Sequence, residues 1–450
     1  MEDLLDFELD DHLLVNPPKK RKKIIGLDDL LSDHYKQQGS LVEKSKKAKS
    51  SYSSDEDEDV GEAKLYQCVE ECQKEMGKIY GEDESAFWGL QIFGDQKPPP
   101  KLVSPDLKSC VPLESLKDME LDCLVEVAPE KGENFLERLL VDGWLLQFVL
   151  VKGHLNESIA MWTFNLMLYS SMEVLSTSAC DFWCTILSPK NKTDSSIKTD
   201  WMPKYYEVKE ALEIYGFLIN TPSKFSANVN LGDSDCNGPP QNIRAWMNFI
   251  AAVCQVRSTF AVFTTSETEE LLSICISLYL DRQLLGVSMI LHNCTLSVIN
   301  YFTDNEWKSS CDKVAMSIAC RIPCDINSLR VVESIIATDS RSKQLRSAVA
   351  FQLLLTCFDN KFTDAVDMLA FLVSINVKEN SCDLFNIYIY LVLAENWLSY
   401  DSAIKENSLL FEMWGVFLRN CSCQISSTDL RPHASKVRSK ASFLVQGSLQ

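Results

Sequence analysis

The residue types that most often carry catalysis or hold metal are few in this chain and poorly grouped. Five histidines occur in 450 residues: His12, His34, His154, His292 and His433. None stands beside a Ser or Cys nucleophile motif, and HExxH, which would set two ligands on one helix face, is absent. There is no GxGxxG or Walker loop to cradle phosphate. The 17 cysteines include Cys68/Cys72, Cys180/Cys184 and Cys320/Cys324, each pair four apart and so expected on one helix face. A zinc site would ordinarily add a second CxxC-type pair, which is missing, and Cys421 and Cys423 are too close for that pattern. Free, buried thiols in a reducing compartment are expected instead. At a net charge of -19, Asp/Glu pairs are too common to mark an acid–base site. The expectation is a protein without catalytic residues, cofactor or metal.

The sequence is more specific about binding. Pro17-Pro18-Lys19-Lys20-Arg21-Lys22-Lys23 places five consecutive cations after two prolines. An extended basic peptide of this kind suits the acidic, aromatic-lined groove of an import receptor, so a nuclear location is expected. The same run would also balance the flanking acid. On one side of it Leu4, Leu5, Phe7, Leu9, Leu13 and Leu14 are interleaved with Asp and Glu. On the other, Ile24, Leu27, Leu30, Leu31 and Tyr35 recur at helical spacing, with Asp28, Asp29 and Asp33 between them. Both islands resemble peptides that fold as amphipathic helices in a partner's groove. An acidic, solubilising tail with incidental leucines is the plainer alternative. Ser53 and Ser54 precede Asp55 to Asp59, a pattern suited to an acid-directed kinase.

The elements that must position these motifs fall into four regions. Residues 1–62 are expected to be a disordered tail, because KSKKAKSSYSSDEDEDVGE has almost nothing to bury. Residues 63–114 form a linker with a short helix, Leu65–Tyr80, and an aromatic cluster, Phe87, Trp88, Leu90, Ile92 and Phe93, before Pro98-Pro99-Pro100. That cluster could dock on the main domain or on a partner. Residues 115–425 read as helix after helix, with apolar residues every three or four positions. The predicted helices include Leu116–Val127, Asn134–Val151, Glu157–Ser170, Met172–Leu187, Ile326–Thr338 and Ser402–Arg419. Ser266 with Glu269, Asn156, Thr363 and Asp401 supply start signals. Sixteen glycines and fifteen prolines are few for a fold built on tight turns. The fold class expected is therefore all-α, an irregular solenoid or HEAT-like array. Residues 426–450 turn polar and basic and are expected to be a frayed tail. The most apolar run, Leu284 to Phe302, is interrupted by His292, Asn293 and Asn300 and is expected to fall short of a membrane span. A net charge of -19 disfavours binding nucleic acid over the whole surface.

One stretch carries a family resemblance. ESLKDMELDCLVEVAPEKGENFLERLLVDGWLLQFVL, beginning at Glu114, and MWTFNLMLYSSMEVLSTSACDFWCTIL, beginning at Met161, resemble the CANIN domain of plant-type Nse-six-like subunits of the Smc five/six complex. The features that match are the Trp144 helix, the run Met161 to Met167, and the Ser176 to Phe182 helix leading into Trp183. The resemblance covers about 115–190 and consists of packing motifs, so it implies a fold and a partnership but no catalytic residues. Implied partners are an Nse-five-like helical subunit, the Smc five/six core and, through them, chromatin, with no membrane. The implied role is DNA repair and recombination. A nuclear armadillo- or HEAT-type adaptor in transcription or transport remains the alternative.

Replacing Lys19, Lys20, Arg21 and Lys22 by Ala is expected to move a fluorescently tagged chain from nucleus to cytoplasm. An unchanged nuclear signal would remove the import reading.

Overall fold

The computed structural model describes residues 88–103, 132–188, 197–218, 238–362, 364–400 and 407–447. Contacts divide the chain after Glu75, and every described residue belongs to the second unit, Met76–Gln450. The described residues are all-α: fifteen α-helices, one 3-10 helix and a two-residue parallel ladder. The predicted helices Leu65–Tyr80 and Leu116–Val127 lie outside the described residues, as do Phe87, Thr363 and Asp401.

Helix α1 (Gly132–Val141) and α2 (Trp144–Lys152) replace the single helix predicted over Asn134–Val151. The break falls at Gly143, whose φ of 79° is left-handed and therefore easy only for glycine. Gly153, with φ 66°, ends α2 in the same way and leads into β1 (His154–Leu155), which pairs with β2 (Lys198–Thr199). Next come α3 (Glu157–Tyr169), capped by Asn156 as expected, and α4 (Glu173–Ile186). After α5 (Tyr205–Ile214) the chain continues through α6 (Ile243–Gln255) and α7 (Thr265–Leu278). A 3-10 turn, Arg282–Val287, leads into α8 (Ser288–Tyr301) and α9 (Asp304–Ala319). The last third holds α10 (Ile326–Ser334), α11 (Ser340–Cys357), α12 (Ala365–Ser374), α13 (Leu384–Tyr400), α14 (Ser408–Cys423) and α15 (Ala434–Gly447).

Start signals are local, and most predicted helices are found within a turn of their expected ends. Details shift where two caps compete. The capping box at α7 is Thr264 with Glu267, two residues before the predicted Ser266/Glu269 pair. Glu269 faces α9 instead, accepting from Ser310 Oγ at 2.6 Å. Asp364 caps α12 and Asn407 caps α14, whose start moves six residues from the predicted Ser402.

Helices stack in rows. The α4, α6 and α8 helices form one row, and α7, α9, α11, α13 and α15 another, with α7 and α11 touching α8. The all-α class holds; a repeat-by-repeat solenoid is not established by this packing, since helices run from 9 to 18 residues without a common length. A knot of edge-to-face rings joins α3, α4 and α6. Phe164 lies 5.3 Å from Phe249 and 5.5 Å from Trp201, and Trp183 lies 5.7 Å from Phe249. By length and composition Arg282–Tyr301 is apolar enough to cross a membrane, contrary to the sequence expectation. In the fold its Leu291, Cys294, Val298 and Tyr301 are buried, against α6, α7 and α11.

Several helices turn abruptly into extended chain without a glycine, and their last carbonyls need partners. Remote side chains supply them. After α3, Asn242 Nδ2 donates to Met167 O at 3.1 Å, Ser170 O at 3.0 Å and Ser176 Oγ at 3.1 Å. After α8, Arg341 donates to Ile299 O and Phe302 O, and Arg257 to Tyr301 O. Ile335 O, after α10, receives Arg346, and Val373 O, in the last turn of α12, receives Asn420. Arg257 also forks onto Glu306 at 2.7 and 2.8 Å. That guanidinium, then the Thr303 backbone N–H, holds the Glu306 carboxyl well below the usual glutamate range.

The expected C-terminal tail is folded. Ala434, Val437 and Ala441 of α15 are buried against α13 and α14, and Lys440 pairs with Glu395 at 2.7 Å. Three small or apolar residues at spacings of three and four suffice for docking, and their polar surroundings hide them from a composition reading.

Asn242→Ala is expected to destabilise the protein by about 1–3 kcal/mol in urea denaturation, because the buried Ser170 carbonyl loses its side-chain donor, while Met167 O keeps the Ser176 hydroxyl. A change under about 0.5 kcal/mol would show that water replaces the amide. Glu306→Gln is expected to cost about 1 kcal/mol, since the pair is partly exposed and screened. A depressed carboxyl contributes stability above its unfolded-state pKa and loses it as pH falls through the folded value. The difference between wild type and Glu306→Gln should therefore shrink in acid.

Candidate protein-interaction face

The import run Pro17 to Lys23, both amphipathic islands, and Ser53 and Ser54 lie outside the described residues. Within them, the residues with chemical potential are dispersed. His154 pairs with Asp200 at 3.0 Å on the surface, His292 is half-buried on α8, and His433 packs against the Phe385 ring. Among the described residues no group of three or more His, Cys, Asp and Glu stands close enough to hold a metal ion.

The cysteines separate by environment. Cys180 and Cys184 do share a face of α4, 3.9 Å apart, and their thiols reach the Ala245 and Asn248 carbonyls of α6. The contact with Cys184, then burial, pushes the Cys180 thiol up, so it stays protonated and packs α4 onto α6. Burial likewise raises Cys254. Cys320 and Cys324 do not share a helix face, because α9 ends at Ala319 and Cys324 falls in the following loop. There it is disulfide-linked to Cys357, the last residue of α11, which corrects the expectation that all thiols are free. A partner 33 residues away leaves no local spacing signal.

The aromatic cluster of the linker docks on the helical unit. Trp88, Leu90, Ile92 and Phe93 are buried. Leu90 N donates to Leu280 O, Gly94 N to Gly216 O and Lys97 N to Ile214 O. Gly216 has φ 88°, and a Cβ there would stand 2.6 Å from Gly94 O, so only glycine admits this strap. Trp88 lies under two guanidinium groups, Arg330 at 4.3 Å and Arg282 at 5.6 Å from its ring centre.

With the linker accounted for, helix α2 stands out. Its sequence, WLLQFVLVK, is apolar except for Gln147, which is exposed, and Lys152, and a helix apolar on most sides is normally enclosed. Only one side of α2 is. Leu145 and Val149 are buried against α1 and the β1 region. On the other side Trp144 is 57% exposed and Val151 86% exposed, with Phe148 between them and its ring stacked 6.5 Å from Trp144. Val141, at the end of α1, is also exposed. The two left-handed glycines at either end turn this short helix out of line with its neighbours in sequence. Trp162, Trp183, Trp246, Trp307, Trp397 and Trp414, by contrast, are buried in the core. Periodicity marks Trp144 as one more apolar position of a long helix; only the glycine break reveals its exposure.

An exposed tryptophan flanked by aliphatic residues can exclude water when a partner covers it, and such residues dominate interface energies. No family model matches the chain, and no curated protein matches it.

The two sides of α2 should respond oppositely to truncation. Leu145→Ala is expected to cost about 2–5 kcal/mol of stability. Trp144→Ala and Val151→Ala should each change it by less than about 0.5 kcal/mol. Equal losses in thermal denaturation would mean that the outer side is packed in solution.

Proposed function

We propose that the chain is a non-enzymatic scaffold and loader subunit of the Smc five/six chromosome-maintenance complex. In this reading it works in the nucleus, in DNA damage repair and recombination. It pairs with an Nse-five-like helical subunit, and through it with the Smc five/six core at chromatin. The observation that carries the reading is the uncovered face of α2. It lies inside the stretch that resembles the CANIN domain, whose role is partnership. Within the run Met161 to Met167, Trp162, Phe164, Leu166 and Met167 are buried and Met161 is exposed, so this part of the motif serves mainly the core while Trp144 and Val151 of α2 are turned outward. The N-terminal islands would grip a second partner, and the import run would deliver the chain to the nucleus. The helix rows also suit a HEAT- or armadillo-type adaptor.

Affinity purification of the full-length tagged chain from nuclei, with mass spectrometry, separates the two. The Smc five/six core with a second helical subunit in equal amount is the expected recovery. With Trp144→Ala combined with Val151→Asp the second subunit should be lost, at an affinity weakened by about 30-fold or more if Trp144 is a central anchor. Recovery of import receptors or transcription machinery without the core would overturn the complex-subunit reading in favour of the adaptor.

A further inference from the structure

We infer that Cys324 and Cys357 form a thiol–disulfide exchange site that controls how tightly the strap at Trp88 is held. Of the twelve described cysteines ten are free and two are joined, so this link is the exception among the described residues. Both of its residues are half-buried, whereas Cys254, Cys275, Cys294 and Cys311 are enclosed in the core. A dithiol or disulfide reagent therefore reaches this pair more readily than the enclosed thiols.

The link joins two parts of unequal rigidity. Cys357 ends the longest described helix, and the next residue, Phe358, is locked among the rings of Phe362, Phe371 and Tyr390, 4.7–5.7 Å away. Cys324 sits in a short loop, one residue before Asp325, which caps α10 through the Asn327 backbone N–H. The first turns of α10 in turn hold the strap. Asn327 Oδ1 accepts from Gly89 N at 2.6 Å, and Arg330 lies over the Trp88 ring. With the bond closed, the start of α10 is pinned to the aromatic post at the end of α11. With it open, only the cap and packing of a nine-residue helix keep Asn327 and Arg330 in register with the strap.

The exchange needs a partner dithiol. Its thiolate attacks one sulfur of the pair, the S–S bond breaks, and a mixed disulfide forms while the other cysteine leaves as thiolate. The donor's second thiol then displaces the remaining sulfur. The donor ends as a disulfide and Cys324 and Cys357 as thiols, two electrons and two protons having passed. A disulfide oxidant reverses the sequence. This assignment stands on the strap geometry and does not rest on the complex-subunit reading.

The test is amide-resolved hydrogen exchange on the full-length chain, non-reduced and after treatment with dithiothreitol, with thiols blocked at lysis. The peptide linking Cys324 to Cys357 should be found in the non-reduced protein. Reduction should speed exchange at Gly89, held by Asn327, about tenfold, with Leu90, Gly94 and Lys97, held by Leu280, Gly216 and Ile214, unchanged. Cys357→Ser should reproduce the reduced pattern; should it fail to fold, reduction of the wild type alone decides. Absence of the linked peptide, or equal protection of Gly89 in both states, would overturn the proposal. A loss of protection spread through Gly94, Lys97 and the core would overturn it as well, assigning the bond to global stability.

Discussion

Much of this structure depends on a single buried amide. Asn242 stands at the start of α6 and donates to the carbonyls of Met167 and Ser170 where α3 ends, and to the Ser176 hydroxyl of α4, which itself donates to Met167 O. Three elements are thereby set in register by one side chain 66 to 75 residues away from its partners. The ring cluster of Phe164, Trp183 and Phe249 lies among the same three helices and takes its edge-to-face geometry in that register. An unsatisfied carbonyl in that setting would cost more than most single contacts contribute. Polar satisfaction and aromatic packing therefore select the same arrangement.

The same device recurs because of composition. Helices commonly end on a left-handed glycine that satisfies their own last carbonyls, and this chain has few glycines to spend that way. Where glycine is available, at Gly143, Gly153 and Gly216, the helix stops locally. Where it is not, Ser170, Phe302, Ile335 and Ile375 take the chain straight into extended backbone. There Asn or Arg from a later helix provides the donors. The caps double as ties between rows, so the ends of helices contribute to tertiary specificity as much as their faces do.

This design places rigidity and exposure in different parts of the unit. The rows from α6 to α13 are bound along their length and at their ends. Helix α2 is fixed by glycines and by one buried side alone, which leaves Trp144 and Val151 turned outward. The strap at Trp88 is held by backbone hydrogen bonds and two guanidinium groups rather than by a helix of its own. Surfaces of this kind, apolar but supported from behind, suit association better than chemistry.

Sequence by itself determined the helical class, most helix positions, the cap at Asn156 and the adjacency of Cys180 and Cys184. All of these follow from periods of three and four residues and from short-range hydrogen bonds, which are written in neighbouring positions. The motifs legible before Ser54 belong to residues that the structure does not describe. Tertiary structure decided what depends on distant partners: the break that turns Trp144 outward, the docking of the linker cluster, the folding of α15 and the Cys324–Cys357 link. In each, a local pattern was compatible with more than one outcome. Trp144 could have been a core position of one long helix, and Ala434, Val437 and Ala441 could have been incidental residues in a polar tail. The outcome turned on which surface lay opposite, and apolar periodicity records only that a face must be covered, not which part of the chain covers it.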